Sequence, residues 1–371
     1  MLLFITLKKK YILFILAVIM ILGGIFVLFL NKNASVATFF IDETEEEVTQ
    51  EIQKIFQERT KAILKEDKEV LERLYDRERK YGVWAYEHEL KKMKYLHQWS
   101  EKQGIKFKAI IPNVVIKWVK EREEGFRVNL VVSSTYEYFY EDQPQSINRF
   151  RIGTYHSLDL YKVEEDWKIT REWYTDPFAD SLHLDEMKTN DVRAYILSQK
   201  SRNNEALMER RKKAVDYADQ YCGAAAEKDY VYNKKYKNYN PQGGDCANFA
   251  SQILHEGGNF KKTYTWNYNK GGSKAWVNAQ AFKDYMIYSG RASVVAHGTY
   301  DKVYKAAYKL LPGDFVAYEK KGKVTHISVV TGSDTKGYTL VNSHNTDRYR
   351  VPWDLGWNDK KIKFWLVHVH F

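Results

Sequence analysis

The sequence contains little proline, glycine or cysteine for its length: 6 Pro, 20 Gly and 2 Cys among 371 residues. With so few prolines and glycines, long flexible linkers are not expected. The two cysteines, Cys222 and Cys246, can form at most one disulfide. Hydrophobic residues make up 44% and charged residues 29%, which argues against wholesale disorder. A chain of this length predicts two folded domains besides any targeting segment.

Acidic residues are too few to balance the basic ones in the C-terminal half. Residues 201–371 hold 27 Lys+Arg against 16 Asp+Glu, a net charge of +11, whereas residues 1–200 hold 31 against 32, a net charge of −1. A basic surplus of this kind favours an anionic partner, which could be nucleic acid, acidic lipid or an anionic wall polymer. The cellular location of the protein decides which of these three partners it can meet.

One long apolar run lies near the N-terminus. Residues 11–30 are uncharged and almost wholly apolar, and a helix of that length spans the ~30 Å hydrocarbon layer of a membrane. The run therefore predicts a single transmembrane helix within an anchor segment, residues 1–37. Lys8, Lys9 and Lys10 before it predict a cytoplasmic N-terminus and an extracytoplasmic remainder, which excludes nucleic acid as a partner. A secreted protein, cleaved near Ala37, is the alternative.

The residues that follow predict a first domain over 43–178. Charged segments with helical spacing up to about residue 103 predict two or three helices, and alternating aromatic-rich segments over 107–174 predict four antiparallel strands. This order resembles the cone-shaped α+β roll of nuclear transport factor 2-like proteins. Its histidines and carboxylates show no motif spacing, which favours solvated faces and a spacer or recognition role. Residues 179–203 predict a connector to a second domain, residues 204–371.

The segment GGDCANFASQILHEGG predicts a helix whose first turn contains Cys246. Asp245 can cap this helix at its N-terminus, and Gly257 can end it. Unpaired N–H groups and the helix dipole at the first turn favour the thiolate, the reactive form of the side chain. The same N–H groups, including that of Cys246 itself, can hold an oxyanion.

Further candidates for oxyanion or substrate binding surround the cysteine. Asp245 and Gly244 precede it directly, and the glycine allows a substrate backbone to approach closely. Asn240 and Gln242, in the loop upstream, are equal candidates for an oxyanion-hole side chain. Trp276 follows a Gly-Gly-Ser turn and can floor a substrate groove, although core packing is the ordinary role of a tryptophan.

A candidate base lies downstream. His326 begins the predicted strand HISVVTG, and the following strand, YTLVNSHNTD, supplies Asn342 and His344. The segments GGDCANFASQIL, SKAWVNAQAFKDYM, LPGDFVAY, THISVVTG and LVNSHNTD together resemble the bacterial putative amidase domain family over residues 212–357. That family is similar to the NlpC and CHAP cysteine hydrolases of cell-wall metabolism.

The resemblance implies a papain-like α+β domain that hydrolyses amide bonds without a metal or cofactor. It makes Cys246 the nucleophile, His326 the base and His344 the residue that orients the base, with Asn342 as the alternative third residue. Together with the predicted location, it implies peptidoglycan peptide bonds as the substrate. A catalytically silent wall-binding module and a transpeptidase stay open, as does a structural Cys246, buried or in a disulfide with the expected core thiol Cys222.

Overall fold

The computed structural model describes residues 46–164, 166–178, 190–203, 206–226, 231–357, 359 and 361–371. The chain divides into two compact units, Met1–Ile52 and Gln53–Phe371. In the first unit, residues 46–52 are helical. The second unit contains all the strands described and every predicted site residue.

The helices of the second unit lie before and between its strands. They are α1 (53–65), α2 (Lys68–Arg73), α3 (Lys80–Gln103), α4 (Asn190–Ser198), α5 (Glu209–Gln220), α6 (Cys246–Gln252), α7 (Lys274–Val277), α8 (Ala279–Tyr288) and α9 (Tyr300–Ala307). A 3₁₀ turn (Asn240–Gln242) precedes α6, and a π-helix (Ile253–Gly257) continues it without a break.

The strands form one sheet whose pairs are all antiparallel. They are β1 (Ile105–Arg122), β2 (Gly125–Tyr140), β3 (Asn148–Val163), β4 (Asp166–Tyr174), β5 (Ala292–Gly298), β6 (Phe315–Lys320), β7 (Lys323–Ser333), β8 (Thr339–Ser343), β9 (Asp347–Pro352) and β10 (Ile362–Val369). The order is β1-β2-β3-β9-β8-β7-β6-β10-β5, with β4 beside β3.

The four strands predicted over 107–174 are confirmed. Strands β1 to β4 pair consecutively, as a meander with short turns requires. The meander continues into the C-terminal strands because β3 also pairs with β9, at Arg151–Gly153. This pairing does not test the domain boundaries predicted from the sequence, because two domains can share one sheet. The boundaries stay a prediction.

The helix predicted at the cysteine is also confirmed. It begins at Cys246, and its π-helical continuation ends at Gly257. Phe249 and Ile253 are 1% and 0% exposed, so each contributes about 1.5–3 kcal/mol of hydrophobic stabilisation to the core between α6 and the sheet. Burial of this face fixes the start of α6 against strand β7.

The predicted fold class needs a correction at the N-terminus. No helix in the described part of the chain is long and apolar enough to cross a membrane. Residues 11–30, for which the sequence predicts such a helix, lie outside the described residues. Over the described residues, the structure supports a mixed α/β arrangement built on an antiparallel sheet.

The expectation of solvated histidines in the first predicted domain is wrong for His156. This residue is 5% exposed, and its Nδ1 lies 2.7 Å from Glu172. Arg59 donates to the same carboxylate at 2.7 Å. Arg59 and His156 line a cavity of about 40 Å³, which has room for only a few water molecules. Burial lowers the pKa of His156, and it does so more than Glu172 raises it.

Candidate active site

Cys246 lies at the start of α6, where two glycines bring the chain into the helix. Gly243 and Gly244 have φ angles of 103° and 145°, which residues with a Cβ rarely adopt. A Cβ on Gly244 would stand 2.3 Å from Nδ2 of Asn345, whereas a Cβ on Gly243 would meet nothing within 4 Å. The absence of a Cβ at Gly244 therefore makes room for Asn345. The open approach to Cys246 lies over Gly243.

The thiol of Cys246 is protonated at neutral pH. The residue is 5% exposed, and burial raises its pKa to about 11. Hydrogen bonds from the backbone N–H groups of Ile327, Ala247 and Cys246 itself favour the thiolate, but they only partly offset the burial. These N–H groups meet at the sulfur and can stabilise negative charge there.

Asp245 occupies the N-cap position of α6 without acting as its cap. Its side chain accepts no backbone N–H of the first turn. Oδ1 instead accepts from the backbone N–H of Tyr239 at 2.8 Å and from Nδ2 of Asn248 at 2.8 Å. The first-turn N–H groups are thereby left to the thiol.

His326 is the fourth residue of β7, not the first residue of a strand as predicted. It is 3% exposed, and burial, followed by the charge of Arg348, lowers its pKa to about 3. Its ring lies 5.1 Å from that of Trp357 and 5.4 Å from that of Tyr318, centroid to centroid. The buried Nε2 has no hydrogen-bond partner among the residues that the structure describes.

The structure brings the backbone of His326, but not its ring, to Cys246. The N–H that reaches the thiol belongs to Ile327, the next residue. Ile327 packs in the same core cluster as Cys246, and successive side chains on a strand point to opposite faces. The imidazole accordingly lies on the other face, opposite Tyr318.

His344, the predicted orienting residue, contacts Asp245 and not His326. Its Nδ1 lies 2.6 Å from Oδ2 of Asp245, and its Nε2 lies 2.8 Å from the carbonyl oxygen of Tyr221. The ring stacks on Phe249 at 3.8 Å. Burial opposes protonation, but the hydrogen bond and the charge of Asp245 outweigh it and raise the pKa of His344. Both nitrogens face acceptors, an arrangement that favours the protonated ring.

Asn342, the alternative third residue, is also occupied elsewhere. Its Oδ1 accepts from Oγ1 of Thr331 at 2.8 Å and from the backbone N–H of Arg350 at 2.7 Å. Its Nδ2 donates to Asp219 at 2.9 Å. The side chain is 0% exposed and ties β8 to its neighbours.

The remaining predicted substrate-binding residues divide into two groups. Asn240 and Gln242 lie in the 3₁₀ turn before α6, where Gln242 is exposed and Oδ1 of Asn240 is buried without a described partner. Trp276 is fully buried, and its indole N–H donates to Oδ1 of Asn248 at 2.9 Å. In this structure Trp276 therefore has no surface that a substrate could touch.

Two residues that the sequence did not single out complete the site. Asn345 accepts the backbone N–H of Asp245 on its Oδ1 at 2.7 Å. Its φ of 67° is a value that asparagine tolerates better than most residues. Asn248 links Asp245 to Trp276 through the bonds given above. The sequence gives only a weak signal for these two residues: Asn345 directly follows His344, and Asn248 lies within the cysteine motif.

Both cysteines are free thiols. Cys222 is 0% exposed, and burial raises its pKa well above the ordinary value. It packs in the core, in agreement with the prediction from the sequence.

Comparison with known proteins links part of the chain to a family. Residues 208–367 match the putative amidase domain family. The match includes Cys246, His326 and His344, and it indicates a hydrolase acting on amides. It leaves the mechanism and the substrate of this amidase domain open.

Two proteins of Bacillus subtilis (strain 168) are similar to the chain, and both are described as uncharacterized. YhbB is 29% identical over 155 residues, which are 39% of this chain and 48% of YhbB. YjcM is 33% identical over 154 residues, which are 38% of this chain and 31% of YjcM. The chain thus spans less than half the length of each of these relatives.

One solved structure also aligns with part of the chain. It is the intermembrane space region of the chloroplast protein ARC6, at a TM-score of 0.25 and 14% identity, over 36% of this chain and 94% of that one.

Proposed function

We propose that the amidase domain is a cysteine-dependent amidase or peptidase that cleaves peptide amide bonds of peptidoglycan, with Cys246 as nucleophile and His326 as base. One observation carries this proposal: the Cys246 thiol lies at a helix start without a side-chain cap, against the peptide group that joins His326 to Ile327. The nucleophile and the oxyanion donors therefore lie together, while the unpartnered imidazole nitrogen of His326 lies on the other face of the same strand.

The pKa values define the charge state of the two groups before the reaction. Because the pKa of the Cys246 thiol is raised to about 11 and the pKa of the His326 imidazole is lowered to about 3, both groups are neutral at neutral pH. In the proposed reaction, Nε2 of His326 takes the thiol proton while Sγ attacks the amide carbonyl carbon. The imidazolium then gives that proton to the leaving amine, and water releases the acyl group from sulfur.

This reaction requires His326 to leave its packing on Trp357. Proton transfer needs Nε2 within about 3 Å of the sulfur, and such contacts commonly tighten only when substrate binds. Because the ring lies on the face of β7 opposite Cys246, rotation about its side-chain bonds is not enough. We propose that a change in the β7 backbone, at the register shift next to His326, turns the imidazole toward the sulfur. The alternative of a catalytically silent wall-binding module is favoured by the same packing, since a ring held at Trp357 takes no proton from Cys246.

The deciding experiment is digestion of purified peptidoglycan by the full chain, with product masses measured. Amide hydrolysis adds one water and releases a free amine, whereas cleavage of the glycan would leave the peptides attached. Cys246→Ala and His326→Ala should each abolish the products, and Lys309→Glu, an exposed change in the turn after α9, should not. Full activity of Cys246→Ala would refute the proposed nucleophile.

The same assay distinguishes hydrolysis from transpeptidation. An added free amine would be joined to the acyl product by a transpeptidase, whereas a hydrolase would give the free acid in its presence. We expect the free acid to predominate.

We also propose that the amidase domain acts outside the cytoplasm. Support comes from the sequence alone, in the apolar residues 11–30 preceded by Lys8, Lys9 and Lys10. Protease added to intact cells should then degrade the amidase domain, while a cytoplasmic marker protein survives. Protection of the amidase domain would contradict this location.

A further inference from the structure

Two lysine-rich loops flank the start of α6. The segment 231–280 contains seven lysines, no arginine and only two acidic residues, Asp245 and Glu256. We call its lysines the lysine rim: Lys234, Lys235, Lys237, Lys261, Lys262, Lys270 and Lys274. All seven are exposed.

Contacts between the loops make the rim one surface. The Tyr268 hydroxyl accepts from the backbone N–H of Lys237 at 2.8 Å. The Tyr239 hydroxyl accepts from the backbone N–H of Gly272 at 3.0 Å. These two bonds join the loop that precedes α6, which contains Lys237, to the loop that precedes α7, which contains Lys270.

The rim is also tied to the nucleophile's helix. The Lys237 carbonyl accepts from Nδ2 of Asn248 at 3.0 Å, and the Tyr239 backbone N–H donates to Asp245 at 2.8 Å. Asn248 and Asp245 lie within two residues of Cys246. A group bound at Lys237 is therefore held close to the start of α6.

The two acidic residues of the segment do not neutralise the rim. Asp245 is buried and paired with His344 at 2.6 Å. Glu256 is paired with Lys235 at 2.5 Å and accepts from the Tyr236 hydroxyl. For the other six lysines, the described residues provide no acidic partner, so an unbalanced positive field remains beside the site.

We propose that the lysine rim binds an acidic peptide and holds its carboxylates beside the amide to be cleaved. Its use in cleavage rests on the hydrolase function proposed above. A peptide is favoured over a nucleic acid because the rim has no arginine, whose planar fork suits phosphate. The rim is also tied to the start of α6, where the thiol proposed above for acyl transfer lies. Lysine ammonium groups act as point charges and suit flexible carboxylates.

Binding can be measured without turnover. The full chain with Cys246→Ala is titrated against two labelled hexapeptides, one with three glutamates and one with three glutamines at the same positions, and fluorescence anisotropy gives the Kd. Lys237→Glu/Lys270→Glu reverses two charges of the rim. Lys309→Glu is the control, because Lys309 is exposed in the turn after α9, outside the rim.

We expect the glutamate peptide to bind more tightly than the glutamine peptide. The double reversal should weaken its binding about ten-fold, because each exposed pair contributes modestly. Raising ionic strength from ~0.02 M to ~0.5 M should remove most of the difference. Equal binding of the two peptides, an equal loss in Lys309→Glu, or tighter binding of a DNA oligonucleotide with the same charge would overturn the proposal.

The outcome is separable from that of the proposed function. If the rim binds the acidic peptide but the unmodified chain cleaves no amide, the hydrolase proposal fails and the rim stands. If the chain cleaves peptidoglycan with the same kcat/KM after charge reversal, the hydrolase stands and the rim proposal fails.

Discussion

His344 holds Asp245 at 2.6 Å from a position 99 residues further along the chain. Both side chains are 2% exposed. Through this pair, the turn after β8 fixes the residue that directly precedes Cys246. His344 is therefore a positioning residue for the helix start rather than a partner of His326 in this structure.

His344→Ala should destabilise the fold by about 3–5 kcal/mol, because it leaves the carboxylate of Asp245 buried and unpaired. The measurement is urea unfolding of the full chain. His297→Ala is the control: His297 pairs with Glu319 at 3.1 Å, but its side chain is 33% exposed, so its loss should cost less than about 1 kcal/mol. Equal costs for the two variants would contradict a buried ion pair.

The stability that His344 contributes should depend on pH in a fixed direction. Its pKa is raised in the folded state, so its contribution is fully present below the unfolded value of about 6.5. The contribution is lost as the pH rises through the folded pKa. The difference in unfolding free energy between wild type and His344→Gln should therefore shrink between about pH 6 and about pH 9. A difference that grows over this range would reverse the assigned sign.

His326 should show the opposite linkage. Its pKa is lowered to about 3 by burial, so the unfolded chain binds a proton at about pH 6.5 and the folded chain does not. The stability that the neutral His326 ring contributes is present above about pH 6.5. It is lost toward about pH 3, by up to roughly 1.4 kcal/mol per pH unit. The unfolding free energy of His326→Gln should therefore fall less steeply with decreasing pH than that of wild type. If its acid profile is unchanged, the ring titrates normally in the folded state.

Alkylation of Cys246 should reveal a neutral thiol. With its pKa raised to about 11, the rate with iodoacetamide should rise about ten-fold per pH unit from neutral pH upward, because only the thiolate reacts. Peptide mass analysis separates Cys246 from Cys222, which is 0% exposed and should react more slowly. A rate that stays constant from about pH 6 to about pH 9 would indicate a preformed ion pair with His326 instead.

Local sequence was enough to predict the helix at Cys246 but not the partners of the histidines. The glycines and the apolar spacing of GGDCANFASQILHEGG act within a few residues, so they are visible in the sequence. The partner of His344 is 99 residues away, and it depends on how the β8–β9 turn meets α6.

The face of His326 depends on strand register in the same way. A register shift separates the pairs Tyr318–His326 and Glu319–Val324. One shifted residue sends a side chain to the other face of a sheet. The motif THISVVTG predicts the strand but does not predict its register against β6.

Gly243 and Gly244 offer the sharpest test of how the approach to Cys246 is built, because they share backbone strain but differ in space. Both have φ values that disfavour a Cβ, so Gly243→Ala should cost about 1–3 kcal/mol of stability. Gly244→Ala adds a contact of 2.3 Å with Asn345. It should therefore cost more and also reduce turnover, since Asn345 holds the N–H of Asp245. Adding Asn345→Gly to Gly244→Ala should recover part of the stability but not the turnover. Equal stability losses in the two single variants, measured by urea unfolding, would show that Asn345 yields to the added methyl group and does not fix the start of α6.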